Sequence, residues 1–195
     1  MPAFVFMRPM TQIDTIELPV NAMDEIVLGG GCFWCIEGGM KGLRGIMEVK
    51  SGYSGGDVPN PSYEQICGKK TGHAEVVKIT FNPDVLRLQD IMDVFFTLHD
   101  PTQIDRQGND VGPQYRSCIF YRNENQRTTA QDAIEKAAEL YENRIVTKLE
   151  QIDTFWPAEE YHQDYFKRNP NQPYCMFSVA PKVAKARKKH SILYE

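Results

Sequence analysis

Two cysteines that follow a run of glycines are the residues in this sequence best suited to chemistry. Cys32 comes directly after Gly29, Gly30 and Gly31, and Cys35 stands three residues further on. A Cys-x-x-Cys pair can close into a disulfide, and the thiolate of a cysteine is a strong nucleophile. The stretch therefore predicts redox or nucleophilic chemistry at Cys32.

The segments on either side of the glycine run are expected to place Cys32 at the beginning of a helix. Residues 24–29 are typical of a buried strand, and residues 33–43 of a short helix. The free N–H groups and the dipole at a helix N-terminus favour an anion. We expect the pKa of Cys32 to fall from roughly 8.5 into the range of roughly 3.5–7.5, with Phe33 and Trp34 beside the thiol as an apolar wall.

Two other interpretations of these cysteines remain open at this point. A cysteine near a strand–helix turn is often a small buried hydrophobe, although the glycines and the second cysteine argue against this. The pair could also be half of a zinc site, completed by Cys67 and His73. The spacing of that second pair is unlike a zinc ribbon or knuckle, so we expect no metal.

Length and composition limit the class of protein. The chain has 195 residues, of which 42% are hydrophobic and 25% charged, so one globular domain over residues 1–195 is expected. A net charge of −4 argues against nucleic acid as a partner. No apolar run approaches the roughly 20 residues that cross a bilayer, so we expect no membrane association.

The cysteine count and the N-terminus indicate the compartment. Residues 1–22 contain Pro2, Pro9 and Pro19 and are predicted to form an irregular arm without the features of a secretory signal. The chain has five cysteines, a number that is small for a disulfide scaffold and, being odd, would leave one cysteine unpaired. We therefore expect a reducing, cytoplasmic location, in which a Cys-x-x-Cys pair is redox-active or binds metal.

Hydrophobic periodicity predicts an α+β fold in two layers. A core over residues 24–168 would have the order strand, helix, strand, strand, helix, strand, which is a ferredoxin-like, split βαβ arrangement with an extra helix. The predicted strands are 24–29, 46–53, 74–81, 116–121 and 146–152. The predicted helices are 33–43, 86–98, 124–142 and 157–167, the last beginning at Pro157, and residues 169–195 are predicted to form an irregular C-terminal tail.

Two long loops and a strand end carry further candidate groups. Tyr63 lies in the loop 54–72, and Asp110 and Tyr115 lie in the loop 99–115. Loops of such length in a compact domain are usually functional or disordered. Glu75 begins the third strand, and an apolar neighbourhood would raise its pKa and make it a general acid. From composition alone these residues have no assigned role.

Several motifs together resemble one family, the A-type peptide methionine sulfoxide reductases. The matching stretches come in the family's order and extend over residues 24–180. They are Gly31-Cys32-Phe33-Trp34, Ser51-Gly52-Tyr53, Asn60-Pro61-Ser62-Tyr63, Thr71-Gly72-His73-Ala74-Glu75, Gln107-Gly108-Asn109-Asp110 and Gln114-Tyr115-Arg116-Ser117. The resemblance implies a two-layer α/β fold with a ferredoxin-like core.

The resemblance also implies a role for each of these residues. Cys32 would attack the sulfur of a methionine S-sulfoxide, leaving methionine and a Cys32 sulfenic acid. Glu75 would protonate the sulfoxide oxygen, and Tyr63 and Tyr115 would donate hydrogen bonds to it. Asp110 would support the site through hydrogen bonds. The same resemblance assigns the substrate methyl group to Phe33 and Trp34.

The position of Cys35 departs from the commonest family pattern, which has glycine there. The resolving thiol is therefore open between Cys35 and Cys175, and we expect both to take part, with Cys175 passing the disulfide outward. Thioredoxin would be the external reductant, with no bound cofactor, and oxidised proteins, peptides and free methionine sulfoxide would be the substrates. We expect a monomer, with Cys67 and Cys118 structural. A general thiol–disulfide oxidoreductase is the alternative enzyme.

Overall fold

The computed structural model describes residues 23–194, so the predicted arm at residues 1–22 lies outside the described part. Its strands are β1 Asp24–Gly29, β2 Ile46–Ser54, β3 Ala74–Phe81, β4 Arg106–Gln107, β5 Asp110–Val111, β6 Cys118–Tyr121, β7 Lys148–Gln151 and β8 Trp156–Pro157. Its α-helices are α1 Phe33–Met40, α2 Tyr63–Cys67, α3 Leu88–Leu98, α4 Glu124–Ala138, α5 Tyr165–Arg168 and α6 Ala180–Lys189. Short 3₁₀ turns occur at Pro113–Tyr115, Glu160–His162 and Ser191–Leu193, and a π-helical turn occurs at Cys175–Val179.

Six strands form one sheet in the order β7-β6-β1-β3-β2-β8, and β4 and β5 form a separate hairpin. Neighbouring strands are antiparallel, apart from β6 and β7, which are parallel. The predicted α+β fold, with helices packed on a central sheet, is confirmed. Because β1 lies between β3 and β6, the glycine run that follows Gly29 leaves the middle of the sheet.

Alternating side chains divide the sheet into two faces. Ile26, Leu28 and Ile79 point into the main core together with the inner faces of α1, α3 and α6. Val27 and Phe120 point to the opposite face, where Ile152 and Phe155 cover them. This period of two is the pattern that predicted the strands. Helix α3 buries the apolar stripe that predicted it, although it begins at Leu88 rather than at residue 86.

The prediction of a helix beginning at Pro157 is wrong. Pro157 lies in β8 and pairs with Gly52 at the edge of β2, and the N–H of Ala158 donates to the carbonyl of Ser51 at 3.0 Å. A side chain at Gly52 would collide with the Phe155 ring, so the absent Cβ makes room for this strand. Proline is tolerated on such an edge strand.

The prediction of an irregular C-terminal tail is also wrong. The tail contains the π-helical turn and α6, which packs against α1 and α3 through Val179, Val183 and Ala186. These three buried residues recur at helical spacing, and Pro181 stands in the first turn, where its missing N–H costs little. The Tyr194 hydroxyl then donates to the carbonyl of Gly39 at 2.6 Å.

The two predicted loops contain short ordered elements. The first holds α2, which begins at Tyr63 after a capping box formed by Ser62 and Gln65. The second holds the β4–β5 hairpin and the 3₁₀ turn that ends at Tyr115. Within residues 23–194, each helix is too short or too polar to cross a bilayer.

Candidate active site

Cys32 immediately precedes α1, as the strand–turn–helix interpretation predicted. Gly31 has φ +90°, and a Cβ on it would lie 2.7 Å from the Cβ of Gln107, so the residue must be glycine. The carbonyl of Cys32 accepts a hydrogen bond from the N–H of Cys35 at 3.0 Å. The glycine turn therefore directs Cys32 towards the end of β3, where Glu75 lies.

A cavity of about 280 Å³ lies against Cys32 and brings the predicted site residues together. Its lining consists of Cys32, Phe33, Trp34, Tyr63, Glu75, Asp110, Tyr115, Gln172 and Tyr174. Seven of these nine were predicted, and the other two come from the C-terminal segment. The predicted resolving cysteines, Cys35 and Cys175, are fully buried behind this lining.

Glu75 is a buried carboxyl group that holds a proton at neutral pH. Its side chain is 2% exposed, and its Oε2 accepts a hydrogen bond from the Phe33 N–H at 3.1 Å. Burial raises the pKa of Glu75 to about 8, and this N–H bond opposes the rise. A charge on Asp110 or Cys35 raises the pKa further. Glu75 is therefore the acid in the cavity.

The expectation of a lowered pKa at Cys32 is wrong. Burial raises the pKa of the Cys32 thiol well above its usual value, and its hydrogen bond with Cys35 and the charge of Glu75 act in the same direction. The Trp34 N–H at the beginning of α1 lowers the pKa by less than burial raises it. Burial therefore favours the thiol form of Cys32 over the thiolate.

Tyr63 and Tyr115 direct two phenol groups at the same cavity. Both rings are half-buried, and burial, followed by the charge of Glu75, raises the pKa of each phenol. The N–H of Tyr63 donates to Glu159 Oε1 at 2.8 Å, which fixes the beginning of α2. Both phenols therefore remain protonated and can donate hydrogen bonds to a ligand oxygen.

The C-terminal segment closes the cavity on its remaining side. The Tyr174 hydroxyl donates to Asp110 Oδ2 at 2.6 Å and joins this segment to the β4–β5 hairpin. Tyr174 also meets Trp34 edge to face, with ring centroids 5.8 Å apart. The Tyr165 ring stacks on Trp34 with centroids 3.7 Å apart, so three aromatic rings form one apolar wall.

His162 is a further residue of the site that sequence reasoning missed. It is 2% exposed, and its ring lies 4.5 Å from that of Tyr63 and 5.0 Å from that of Phe33, between centroids. Burial lowers its pKa, so the ring is neutral. Neither ring nitrogen has a hydrogen-bond partner among residues 23–194. The available signal was the density of aromatic residues between residues 161 and 174.

A buried carboxylate anchors the segment that carries His162. Glu37 in α1 is 1% exposed and accepts a hydrogen bond from the Asp164 N–H at 2.9 Å. Asp164 has φ 54°, a left-handed conformation that this bond and its ion pair with Lys41 hold in place. The hydrogen bond between Glu37 and Asp164 therefore fixes the position of the backbone between His162 and Tyr165.

The zinc alternative does not fit the geometry of its second pair. His73 uses both ring nitrogens within the protein: Nδ1 accepts from the Gly56 N–H at 3.1 Å, and Nε2 lies 2.8 Å from the Val58 carbonyl. Cys67 is exposed on α2. Across the described residues, no three His, Cys, Asp or Glu side chains converge as a metal site requires.

Comparison of the sequence with known proteins shows the family to which the chain is related. The family model described as peptide methionine sulfoxide reductase matches residues 24–193. The peptide methionine sulfoxide reductase MsrA of Thermus thermophilus is 53% identical over 161 residues, which are 83% of this chain and 92% of the relative. The MsrA of Haloquadratum walsbyi is 51% identical over 164 residues, which are 84% and 94% of the two chains.

Solved structures agree with this placement. Reduced Mxr1 from Saccharomyces cerevisiae superposes with a TM-score of 0.75 at 36% identity, covering 83% of this chain and 94% of the other. Methionine sulfoxide reductase A of Corynebacterium diphtheriae superposes with a TM-score of 0.70 at 32% identity, covering 77% and 76%. Mxr1 in complex with Trx2 gives a TM-score of 0.54 at 26% identity, covering 78% and 91%.

The raised pKa of Glu75 predicts how folding stability depends on pH. A carboxyl group whose pKa rises from 4.5 to about 8 on folding makes the folded state bind more protons, so stability falls as pH rises between these values. Glu75→Gln removes this slope and keeps an oxygen for the Phe33 N–H. Urea unfolding should be measured at pH 5.5 and 7.5. The free energy of unfolding of Glu75→Gln, relative to that of the native chain, should rise by about 1.4 kcal/mol per pH unit between these values.

The matched control is Glu64→Gln, which changes an exposed glutamate on α2. Its free energy of unfolding should change between the two pH values by the same amount as that of the native chain. An equal difference between Glu75→Gln and the native chain at the two pH values would mean that Glu75 is ionised throughout.

Proposed function

Since the chain belongs to the peptide methionine sulfoxide reductase family, we propose that its cavity reduces the S epimer of methionine sulfoxide, with Cys32 as the nucleophile. The enzyme is an oxidoreductase that returns methionine sulfoxide to methionine. One observation carries the residue assignment: the Cys32 thiol and the proton-bearing Glu75 carboxyl line the same cavity. A sulfoxide oxygen is a poor leaving group, and these two groups supply the nucleophile and the proton that its removal needs.

The first step moves one oxygen from the substrate to the enzyme. Glu75 protonates the sulfoxide oxygen while the sulfur of Cys32 attacks the substrate sulfur, and the thiol proton replaces the one that Glu75 gave. The sulfur–sulfur bond forms as the substrate sulfur–oxygen bond breaks. The departing hydroxide then adds to the sulfur of Cys32, the sulfur–sulfur bond breaks, methionine is released, and Cys32 becomes a sulfenic acid. Because burial favours the thiol form of Cys32, we expect that substrate binding activates it.

Tyr63 and Tyr115 assist this step as hydrogen-bond donors to the same oxygen. Their phenols remain protonated because burial and the Glu75 charge raise their pKa values. Donors fixed in advance stabilise the charge that develops on oxygen in the transition state. Asp110 acts indirectly, since it holds Tyr174 against the cavity.

Phe33 and Trp34 form the site for the substrate methyl group. Phe33 is 1% exposed and Trp34 lies between Tyr165 and Tyr174, so the wall that they form is rigid and apolar. The apolar wall binds the substrate methyl group on one side of the cavity, and the hydrogen-bond donors bind the sulfoxide oxygen on the other. Together they determine which face of the sulfoxide sulfur is turned towards Cys32. This arrangement supports selection of one epimer.

The sulfenic acid is resolved by a relay of two thiols. Cys35 condenses with Cys32 to form a disulfide and release water, and Cys175 then exchanges with Cys35. Cys35 is a hydrogen-bond partner of Cys32, and the charge of Cys35 raises the pKa of Cys175, which supports the order Cys32, Cys35, Cys175 for the relay. A thioredoxin-type dithiol returns the enzyme to its reduced form, as the solved complex of Mxr1 with Trx2 suggests for a relative.

The cycle needs no bound cofactor, because thiols supply both electrons. It requires a dithiol reductant, which supports a reducing compartment such as the cytoplasm. We expect the cavity to accept oxidised methionine in proteins and peptides and as the free amino acid. A monomer is the expected state.

Epimer-resolved turnover tests the proposed function. The native chain, with dithiothreitol as reductant, should consume only the S epimer of an N-acetylated methionine sulfoxide. Cys32→Ser should lower turnover by at least 10³-fold, on the order of the loss for a missing nucleophile, because no other thiol reaches the cavity. Chiral chromatography of the remaining substrate gives both results. Consumption of both epimers, or of neither, would contradict the proposal.

Single-cysteine variants test the relay with thioredoxin as reductant. Cys35→Ser and Cys175→Ser should each keep the first turnover of one methionine per enzyme, because neither thiol takes part in the first step. Each should slow steady-state turnover by roughly tenfold or more, since one exchange of the relay is missing. Cys67→Ser, on the exposed face of α2, is the control. Full turnover in both variants would exclude the relay.

A further inference from the structure

We propose that Lys182 is a catalytic residue of the resolving step, in which its ammonium group holds Cys35 as the thiolate that attacks the Cys32 sulfenic acid. The contact that carries the proposal joins Lys182 Nζ to Cys35 Sγ at 3.7 Å. This inference rests on the proposed function, and it assigns the second chemical step of the cycle to a residue of α6.

The fold brings this lysine to the sulfur from a distant part of the chain. Lys182 lies in the first turn of α6, which the π-helical turn aligns against α1. The next residue, Val183, packs over Gly38 of α1 and fixes the alignment of the two helices. Cys35 is fully buried and Lys182 is half-buried, so water screens their interaction less than it screens a surface pair.

The groups around Cys35 favour its thiolate over that of Cys32. The hydrogen bond from the Cys32 thiol and the charge of Lys182 lower the pKa of Cys35, while burial and Asp110 raise it. The titratable groups Glu75, Tyr174 and Cys175 also lie near enough for a charge on Cys35 to raise their pKa values, which favours their protonated, neutral forms. These groups therefore favour a thiolate at Cys35 over one at Cys32.

Cys118 shows what burial does to a thiol in the same protein. It is also fully buried, and burial raises its pKa to about 12 although Arg116 and Lys148 act against the rise. Cys35 differs in its hydrogen bond with Cys32 and its contact with an ammonium group. Once Cys32 carries oxygen, the thiol that made this hydrogen bond no longer exists, and Lys182 is the partner that remains.

The step balances as a condensation. The Cys35 thiolate attacks the sulfur of the Cys32 sulfenic acid, the sulfur–sulfur bond forms and the sulfur–oxygen bond breaks. The departing oxygen takes a proton from Glu75 and leaves as water, and Glu75 is reprotonated from solvent. Cys32 sulfur is reduced and Cys35 sulfur is oxidised. Lys182 keeps its proton throughout and then faces a neutral disulfide.

The experiment isolates this step in a Cys175→Ser background, in which Cys35 is the resolving thiol. Lys182→Met removes the charge and keeps the length of the side chain, and Lys182→Arg keeps the charge. Lys185→Met is the control, because Lys185 is exposed on the same helix. After one turnover without reductant, the readouts are methionine released per enzyme and the loss of sulfenic acid to a dimedone-type trap, followed from pH 6 to 9.

Lys182→Met should still release one methionine per enzyme. Its disulfide should form about three- to tenfold more slowly at pH 7. Each unit by which the pKa of Cys35 rises lowers the fraction of thiolate about tenfold, and the greater nucleophilicity of a more basic thiolate offsets part of this loss. The pH at which the rate reaches half its maximum should move upward, and the difference from the native chain should disappear at high pH. Lys182→Arg and Lys185→Met should keep the native profile.

An unchanged rate and pH profile in Lys182→Met would overturn the assignment, while the released methionine would leave the proposed function intact. A slower rate by the same factor at every pH, with Lys182→Arg equally slow, would also overturn it, since that result indicates a structural role. Failure of the native chain itself to release methionine would instead contradict the proposed function.

Discussion

The hydrogen bond from the Phe33 N–H to Glu75 is the interaction on which the site depends. It joins the first N–H of α1 to a carboxyl at the beginning of β3, and so closes the cavity beside Cys32. The bond favours the ionised carboxylate and burial opposes it, and a pKa of about 8 shows that burial wins. A buried group in this balance is an acid at neutral pH, which the removal of a sulfoxide oxygen requires.

Burial is the main reason why the expected thiolate at Cys32 does not form, and the charge of Glu75 acts in the same direction. A helix N-terminus offers a few free N–H groups, and here one of them bonds to Glu75 instead of to a thiolate. The pKa of Cys35 is lowered instead, by its hydrogen bond with Cys32 and by the charge of Lys182. Burial thus favours the thiol form of Cys32, and the contact with Lys182 favours the thiolate form of Cys35.

Sequence reasoning succeeded where the signal is local. The strands that became β1 and β3 were predicted with their observed bounds, because a short apolar segment that ends at turn residues is a property of the strand itself. It failed where partners are distant: β8 depends on the missing side chain of Gly52, and α6 depends on the faces of α1 and α3 that it covers. The cavity shows the same division, since motifs predicted seven of its nine residues, while Gln172 and Tyr174 come from the C-terminal segment.

The central claim is that Glu75 carries a proton in the resting enzyme, and infrared difference spectroscopy measures this directly. Spectra of the native chain minus Glu75→Gln should contain the carbonyl band of a protonated carboxylic acid at pH 6.5. The band should disappear as pH rises through about 8. A difference spectrum with carboxylate bands alone at pH 6.5 would contradict the account, because Glu75 could then not donate the proton on which the first step depends.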